Sequence, residues 1–378
     1  MIKDIVHSFE RNFANLPGWH TKRKIVVIES DDWGSIRMPS KETYNNFLQL
    51  GYPVDKDCYC RYDSLESDKD LTNLFEVLSS VKDLNGNSPV ITANTVVANP
   101  DFEKIKESKF QTYYYELFTE SLKKYPHHSH VYDLYKEGIT NKLFYPQFHG
   151  REHINVNLWM DALRKQDEVT LSAFNFNSLG IPHTFGLEKN TTRMKALSFT
   201  NINEKDEKKT ILADGLFNFD RLFNFKSKSF IAPSYIWHSD LNPFLAEQGV
   251  FYIQGIPYQY EPDLTSRSGY SKIYHYCGQR NKFSQIYLIR NSHFEPSNSE
   301  AIDWVDECLH RIAIAFKWHK PAIISSHRVN FIGSIDQSNS DRNLRLLKII
   351  LSAILKKWPD VEFLNSEQLG DLIKGFQS

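Results

Sequence analysis

Residues 25–38 read IVVIESDDWGSIRM and place two adjacent carboxylates, Asp31 and Asp32, at the end of an apolar run. Much later come His149 and His153 within His-Gly-Arg-Glu-His, then Arg290, His293, Glu295 and finally His327. Two imidazoles four residues apart lie on one side of a turn or a first helical turn and can reach a single ion. One carboxylate from the aspartate pair would complete three protein ligands. Three ligands leave a position open for water, the mark of a catalytic rather than a structural zinc site. Zinc is the expected ion for one carboxylate and two imidazoles, and iron, cobalt or nickel suits the same donors. Adjacent residues on a strand point to opposite sides, so one aspartate is expected to hold the metal and the other to handle a proton. The plainer alternative is that Asp31 and Asp32 cap a helix starting near Trp33.

The elements that must position these groups follow from periodicity. The β-branched run at 25–28 suits a strand buried on both faces, as in a parallel sheet. Further strands are expected at 88–97, 143–148, 230–237, 250–254, 286–289, 322–325 and 361–364. A short amphipathic helix (Ile5, Phe9, Phe13) and a lead-in through Pro17-Gly18 are expected within 1–23, and helices over 71–81, 242–248, 301–316, 343–357 and 366–374, with another beginning near Asn155 or Asn157. Residues 101–142 read as helical and aromatic. Alternation of strand and helix argues for an α/β fold with a parallel sheet. The ionisable residues gather just after strands, and a closed barrel brings all such positions to one rim. The chain is read as one barrel domain over residues 1–378, with insertions near 39–87, 101–142 and 255–283. The tract His127-His128-Ser129-His130 reads as a solvated loop rather than a metal site.

Composition narrows the partners. A formal net charge of −1 leaves no electrostatic footprint for nucleic acid or an anionic membrane. Aromatic residues make up 14% of the chain, enough to supply ring faces for a carbohydrate as well as a core. The four cysteines, Cys58, Cys60, Cys277 and Cys308, include no pair at zinc spacing and are expected as free thiols. No basic-then-apolar leader opens the sequence and no run reaches membrane-spanning length, so a cytoplasmic location is expected.

The stretches ESDDWG (29–34), HGREH (149–153), FIAPSY (230–235) and IISSH (323–327) occur in the order of the motifs of the polysaccharide deacetylase family, the NodB-homology carbohydrate esterases. The chain resembles that family from about Lys24 to its end. The resemblance implies a distorted (β/α)7 TIM-like barrel and metal-dependent removal of N- or O-acetyl groups from a sugar. It implies Asp32, His149 and His153 as ligands of one divalent ion, most simply Zn2+. It implies Asp31 as general base, His327 as general acid, and Trp33, Ser234 and Tyr235 as substrate contacts. Asp31 must then be ionised near neutral pH, which a neighbouring cation favours, and His327 needs a partner that keeps it protonated.

The departures are specific. The family's third motif is Arg-x-Pro-Tyr, and here Ile231 stands at the arginine that orients the base. Arg290, or Arg151 between the two histidines, is the expected substitute. Ser234 stands at the family's tyrosine, whose backbone N–H assists the oxyanion; serine still supplies that donor. Trp33 is inserted before Gly34. The missing arginine together with the long loops keeps open a cyclic amide or other C–N bond as the target, and Ile231 in place of arginine keeps open a barrel that binds carbohydrate without catalysis. An iron oxygenase built on two histidines and one carboxylate ranks last, because its usual carriers are jelly rolls.

Overall fold

The computed structural model describes residue 12, residues 15–181 and residues 193–375. The helix expected within 1–23 rests on Ile5, Phe9 and Phe13, which lie outside the described residues. The main sheet has nine parallel strands: β1 (Lys24–Trp33), β2 (Ile91–Thr95), β3 (Phe144–Phe148), β4 (Ser229–Phe230), β5 (Tyr252–Gly255), β6 (Ile286–Ile289), β7 (Ser292–His293), β8 (Ala322–His327) and β9 (Val361–Leu364). Their order is β6-β5-β4-β3-β2-β1-β8-β7, with β9 beside the start of β1. The two edge strands are consecutive in the chain, separated by Arg290 and Asn291 alone. Residues 286–293 therefore run as one kinked strand, its first half paired with β5 and its second with β8. The Arg290 N–H donates to the Gly255 carbonyl and the Asn291 N–H to the Ile323 carbonyl, so the kink itself bridges the two neighbours. The ring closes through the chain, as the distorted TIM-like barrel expectation requires.

Alternate residues of β1 divide between two cores. Ile25 and Val27 pack with Tyr252, Ile286, Leu288 and Ile323 inside the barrel, where Leu369 and Ile373 of the C-terminal helix Ser366–Gly375 plug the base. Val26 and Ile28 face outward into the larger core beneath the helices. The crossovers are helical at Asp68–Ser79, Val131–Thr140, Glu204–Phe223, Trp304–Lys317 and Gln337–Lys357. The charged run Asn203–Lys209 opens the helix Glu204–Phe223, its acidic residues in the first turn, where the helix dipole favours them.

Several expectations change. The segment 255–283 is not a plain loop, since it holds an antiparallel hairpin, Tyr258–Pro262 with Tyr270–Tyr274. Residues 101–142 carry a short strand, Tyr115–Leu117, paired with Ala98–Pro100, among their helices. His128 is buried rather than solvated, with its ring nitrogens on the carbonyls of Pro126 and Leu65. The four cysteines are free thiols. Among the described residues, no helix is long and apolar enough to cross a membrane.

A buried ion cluster ties the rim of the barrel together. Arg328, just after β8, makes two 3.0 Å hydrogen bonds to Asp63 and one of 2.7 Å to Glu66. Glu66 also accepts from the Tyr135 hydroxyl and from the backbone N–H of Gly34. Gly34 has φ +78°, and a Cβ there would sit 2.5 Å from the Val96 carbonyl oxygen, so the turn leaving β1 requires glycine. Removing a partner from such a cluster strands buried charge. Arg328→Met should therefore lower the free energy of unfolding by about 3–5 kcal/mol in urea titration, and a loss under about 1 kcal/mol would show that the cluster is not a structural anchor.

Candidate metal centre and active site

β1 does not behave as a regular strand at its end. Its register against β2 shifts between Ser30 and Trp33, and Asp32 sits at φ +76°. This bulge inserts an extra residue opposite β2. Glu29 and Asp31 follow the inward face of Ile25 and Val27. Without the bulge, Asp32 would point outward. With it, both aspartates line one pocket of about 660 Å³ together with His149, His153, Ser234, Tyr235 and His327. The expectation that the aspartates face opposite sides is thus corrected by a local backbone irregularity. A non-glycine residue held at positive φ stores strain of the kind that clusters at functional sites.

β3 delivers His149. The His149 N–H donates to the Thr95 carbonyl, Gly150 at φ +109° turns the chain, and the Arg151 carbonyl accepts from Val97 and Ala98. The turn ends at Asn155, whose side chain caps the helix Val156–Arg164 by accepting from the Leu158 N–H. Both histidines thus sit on a turn before the helix. Asp32 Oδ1 lies 3.4 Å from His149 Nε2 and 3.1 Å from His153 Nε2. All three side chains are buried, and their ligand atoms lie within 4.8 Å of one another.

This donor set suits a divalent ion. His149 Nδ1 is 2.9 Å from the Ile231 carbonyl, so it carries the proton and leaves the Nε2 lone pair directed at Asp32. Among the described residues that Nε2 is buried with no hydrogen-bond partner, as is Nδ1 of His153. Burial pushes the His153 pKa down to about 4, keeping the ring neutral and able to ligate. Burial opposes ionisation of Asp32, but Arg37 and the two histidines hold its pKa well below the usual carboxylate range. Among the described residues this is the one group of His, Cys, Asp and Glu with such geometry.

Arg290, one of the two expected substitutes for the arginine absent at residue 231, meets Asp31. Its Nη1 and Nη2 take the two oxygens of Asp31 at 2.8 and 2.6 Å, and its Nε takes Glu29 at 2.6 Å. Arg151 does not substitute, because it pairs with Glu152 and Asp214. Burial disfavours charge on Asp31, yet Arg290 overrides it and holds the pKa at about 2. His327 lies opposite Asp31 in the β1–β8 register, its Nε2 3.7 Å from Asp31 Oδ2 and its Nδ1 2.7 Å from Glu295 Oε1. Burial works against the imidazolium, but Glu295 and Asp31 outweigh it and raise the pKa to about 9. Glu295 therefore orients His327 and makes no ion pair with Arg290.

Trp33 is corrected outright. It is fully buried, edge-on to Phe144 at 4.8 Å with its indole N–H on Ser30, and it does not reach the pocket. Ser234 and Tyr235 do line it, both at positive φ in the turn Pro233–Tyr235. Sequence reading missed three groups. Arg37 bonds Asp32 Oδ2 at 2.9 Å, Asn94 donates to Asp31 Oδ1 at 2.7 Å, and Tyr59 meets His327 edge-on at 5.5 Å. Asn94 could have been found as an amide inside an apolar strand; Tyr59 lies in an insertion that no motif marks.

Elemental analysis of the purified chain should find about one equivalent of zinc or a similar divalent ion, and a His149→Ala, His153→Ala variant should hold none. Equal metal in both would place the ion elsewhere.

No family model matches the chain, and no curated protein matches it. Solved structures do. A Parabacteroides distasonis protein described as a glycoside hydrolase/deacetylase is 9% identical and has a TM-score of 0.50, over 96% of this chain and 74% of that one. A Mycobacterium smegmatis protein described as a polysaccharide deacetylase is 10% identical at TM-score 0.46, over 95% and 93%. PuuE allantoinase is 8% identical at TM-score 0.45, over 95% and 93%. At these identities the likeness is one of fold, and the Parabacteroides distasonis structure shares the parallel α/β barrel described above.

Proposed function

We propose that the chain is a metal-dependent hydrolase that removes an acetyl group from a sugar. The observation that carries this reading is the meeting, in one pocket, of a buried Asp-His-His cluster, an arginine-clamped carboxylate and a carboxylate-paired histidine. The motif order and the fold shared with a protein described as a glycoside hydrolase/deacetylase support the sugar as substrate.

A divalent ion on Asp32, His149 and His153 would polarise the acyl carbonyl and make a water more acidic. Asp31, ionised and oriented by the Arg290 fork, takes the proton of the attacking water. His327, held as the cation, gives a proton to the departing amine or alkoxide. Ser234 lines the same pocket, and its backbone N–H is the donor assigned in this reading to the oxygen that gains charge. Tyr235 accepts from Arg290 Nη1 at 3.2 Å and so positions the guanidinium. The non-catalytic alternative is motivated by the arginine missing at residue 231 and the cyclic-amide one by that arginine together with the long loops; the Arg290 contact with Asp31 supports the deacetylase reading against the first ground.

Asp31→Asn should cut acetate release from acetylated sugars by at least about 100-fold while metal content stays near one equivalent. If the metal is lost as well, the aspartate roles are exchanged.

The pH profile tests His327. Its acid form persists up to about pH 9, so kcat should fall as pH rises through that value. Removing the Glu295 anion destabilises the imidazolium, so Glu295→Gln should move this alkaline limb down towards the ordinary histidine range of about 6.5. An unmoved limb would remove His327 as the acid.

A further inference from the structure

Beside the catalytic pocket lies a second cavity of about 340 Å³ that shares Ser234 with it. Its walls include Lys195, Tyr260, Tyr270 and Lys272. Three of these come from the hairpin that the sequence left as an insertion. Tyr260 and Lys272 are cross-strand partners and Pro262 and Tyr270 the next in-face pair, so Tyr260, Tyr270 and Lys272 share one face. A parallel bridge between Ile236 and Tyr260 fastens the hairpin to the turn that carries Ser234. A hydrogen bond of 2.8 Å between Ser198 and the Tyr270 hydroxyl fixes the far wall.

The charge of this cavity is one-sided. Lys195 Nζ lies 4.9 Å from the Tyr270 ring centroid and Lys272 Nζ lies 5.6 Å from that of Tyr260. Among the described residues, no carboxylate lines the cavity and neither lysine forms an ion pair. The chain carries 46 acidic residues against 45 basic ones, so two lysines facing one cavity are not the product of a generally basic chain. Tyrosine faces suit the C–H faces of a pyranose ring, and the ammonium groups suit an anion attached to it.

We infer that this cavity binds an anionic group of the substrate, so that the glycan acted on is acidic: a sugar bearing a carboxylate or a phosphate beside the acylated one. This rests on the deacetylase reading for what happens in the neighbouring pocket, but the binding itself does not need turnover.

Titration calorimetry on the full chain compares three probes: hyaluronan tetrasaccharide for a carboxylate, UDP-N-acetylglucosamine for a phosphate, and chitotetraose as the neutral control. At least one anionic probe should bind more tightly than chitotetraose, and that advantage should shrink as salt screens the lysines. Lys195→Met with Lys272→Met should weaken the favoured anionic probe roughly fivefold, as expected for two exposed ion pairs, and change chitotetraose less than about twofold. Each single variant should move the same way, which guards against a folding defect in the double one. Equal affinity for neutral and anionic probes, failure of both anionic probes to bind, or equal loss of all probes in the variants would overturn the inference. Acetate release from chitotetraose with no anionic preference would leave the deacetylase reading standing and remove this one. Salt-sensitive, lysine-dependent binding of an anionic probe with no acetate released from any sugar would do the reverse.

Discussion

The fork of Arg290 is the constraint on which the site depends. It lies at the kink between β6 and β7, the point where the ring of strands closes, and it is 1% exposed. From there it holds Asp31 with two nitrogens and Glu29 with a third. Those carboxylates are two apart on β1, hence on the same inward face. One side chain thus spans the barrel from its closing strand to its central one. Burial pushes the Glu29 pKa up against the pull of Arg290, and Ser366 at the head of the basal helix donates to its other oxygen. Barrel closure, the basal plug and the orientation of Asp31 are therefore parts of one hydrogen-bonded unit. A buried guanidinium of this kind stabilises only while every partner is in place.

Around that unit the pocket sorts two histidines into opposite states. His153 is buried against Asp32 and near the Arg37 cation, and desolvation leaves it neutral. His327 faces Asp31 and Glu295 from a partly exposed position and keeps its proton. A neutral imidazole can ligate and a charged one can donate, so the two surroundings suit these histidines to the different roles proposed for them. The two aspartates are divided in the same manner. Asp31 belongs to Arg290 and Asp32 to Arg37, and each guanidinium keeps its carboxylate ionised for a different task.

The hairpin over residues 258–274 adds a second level of organisation. It is fastened to the turn of Ser234, so a feature outside the barrel reaches the edge of the reactive pocket. Insertions of this kind leave the strand ends untouched and change what can approach them, which is how one barrel serves many substrates.

The α/β alternation, most strand positions and the identity of the candidate groups were legible in the linear chain. Buried parallel strands leave unbroken β-branched runs, and the groups at their ends are ionisable residues in otherwise apolar surroundings. Strand β9 and the strand 286–289 could be read to the residue because short apolar segments stand between clear helix and turn signals there. The role of Arg290 could be raised but not chosen over Arg151, because both are arginines near the right strand ends; only the closing of the ring brings one to Asp31 and leaves the other with Glu152 and Asp214. Trp33 shows the reverse failure: a residue inside a reactive motif is expected at the ligand, but the bulge that turns Asp32 inward sends the indole into the core. Arg37, Asn94 and Tyr59 carry no local pattern that marks them, since each acts by reaching a residue distant in the chain. Local periodicity decides which residues lie on strands and which at their ends; the bulge, the kink and the buried ion pairs, which depend on contacts between distant segments, decided which of those residues meet.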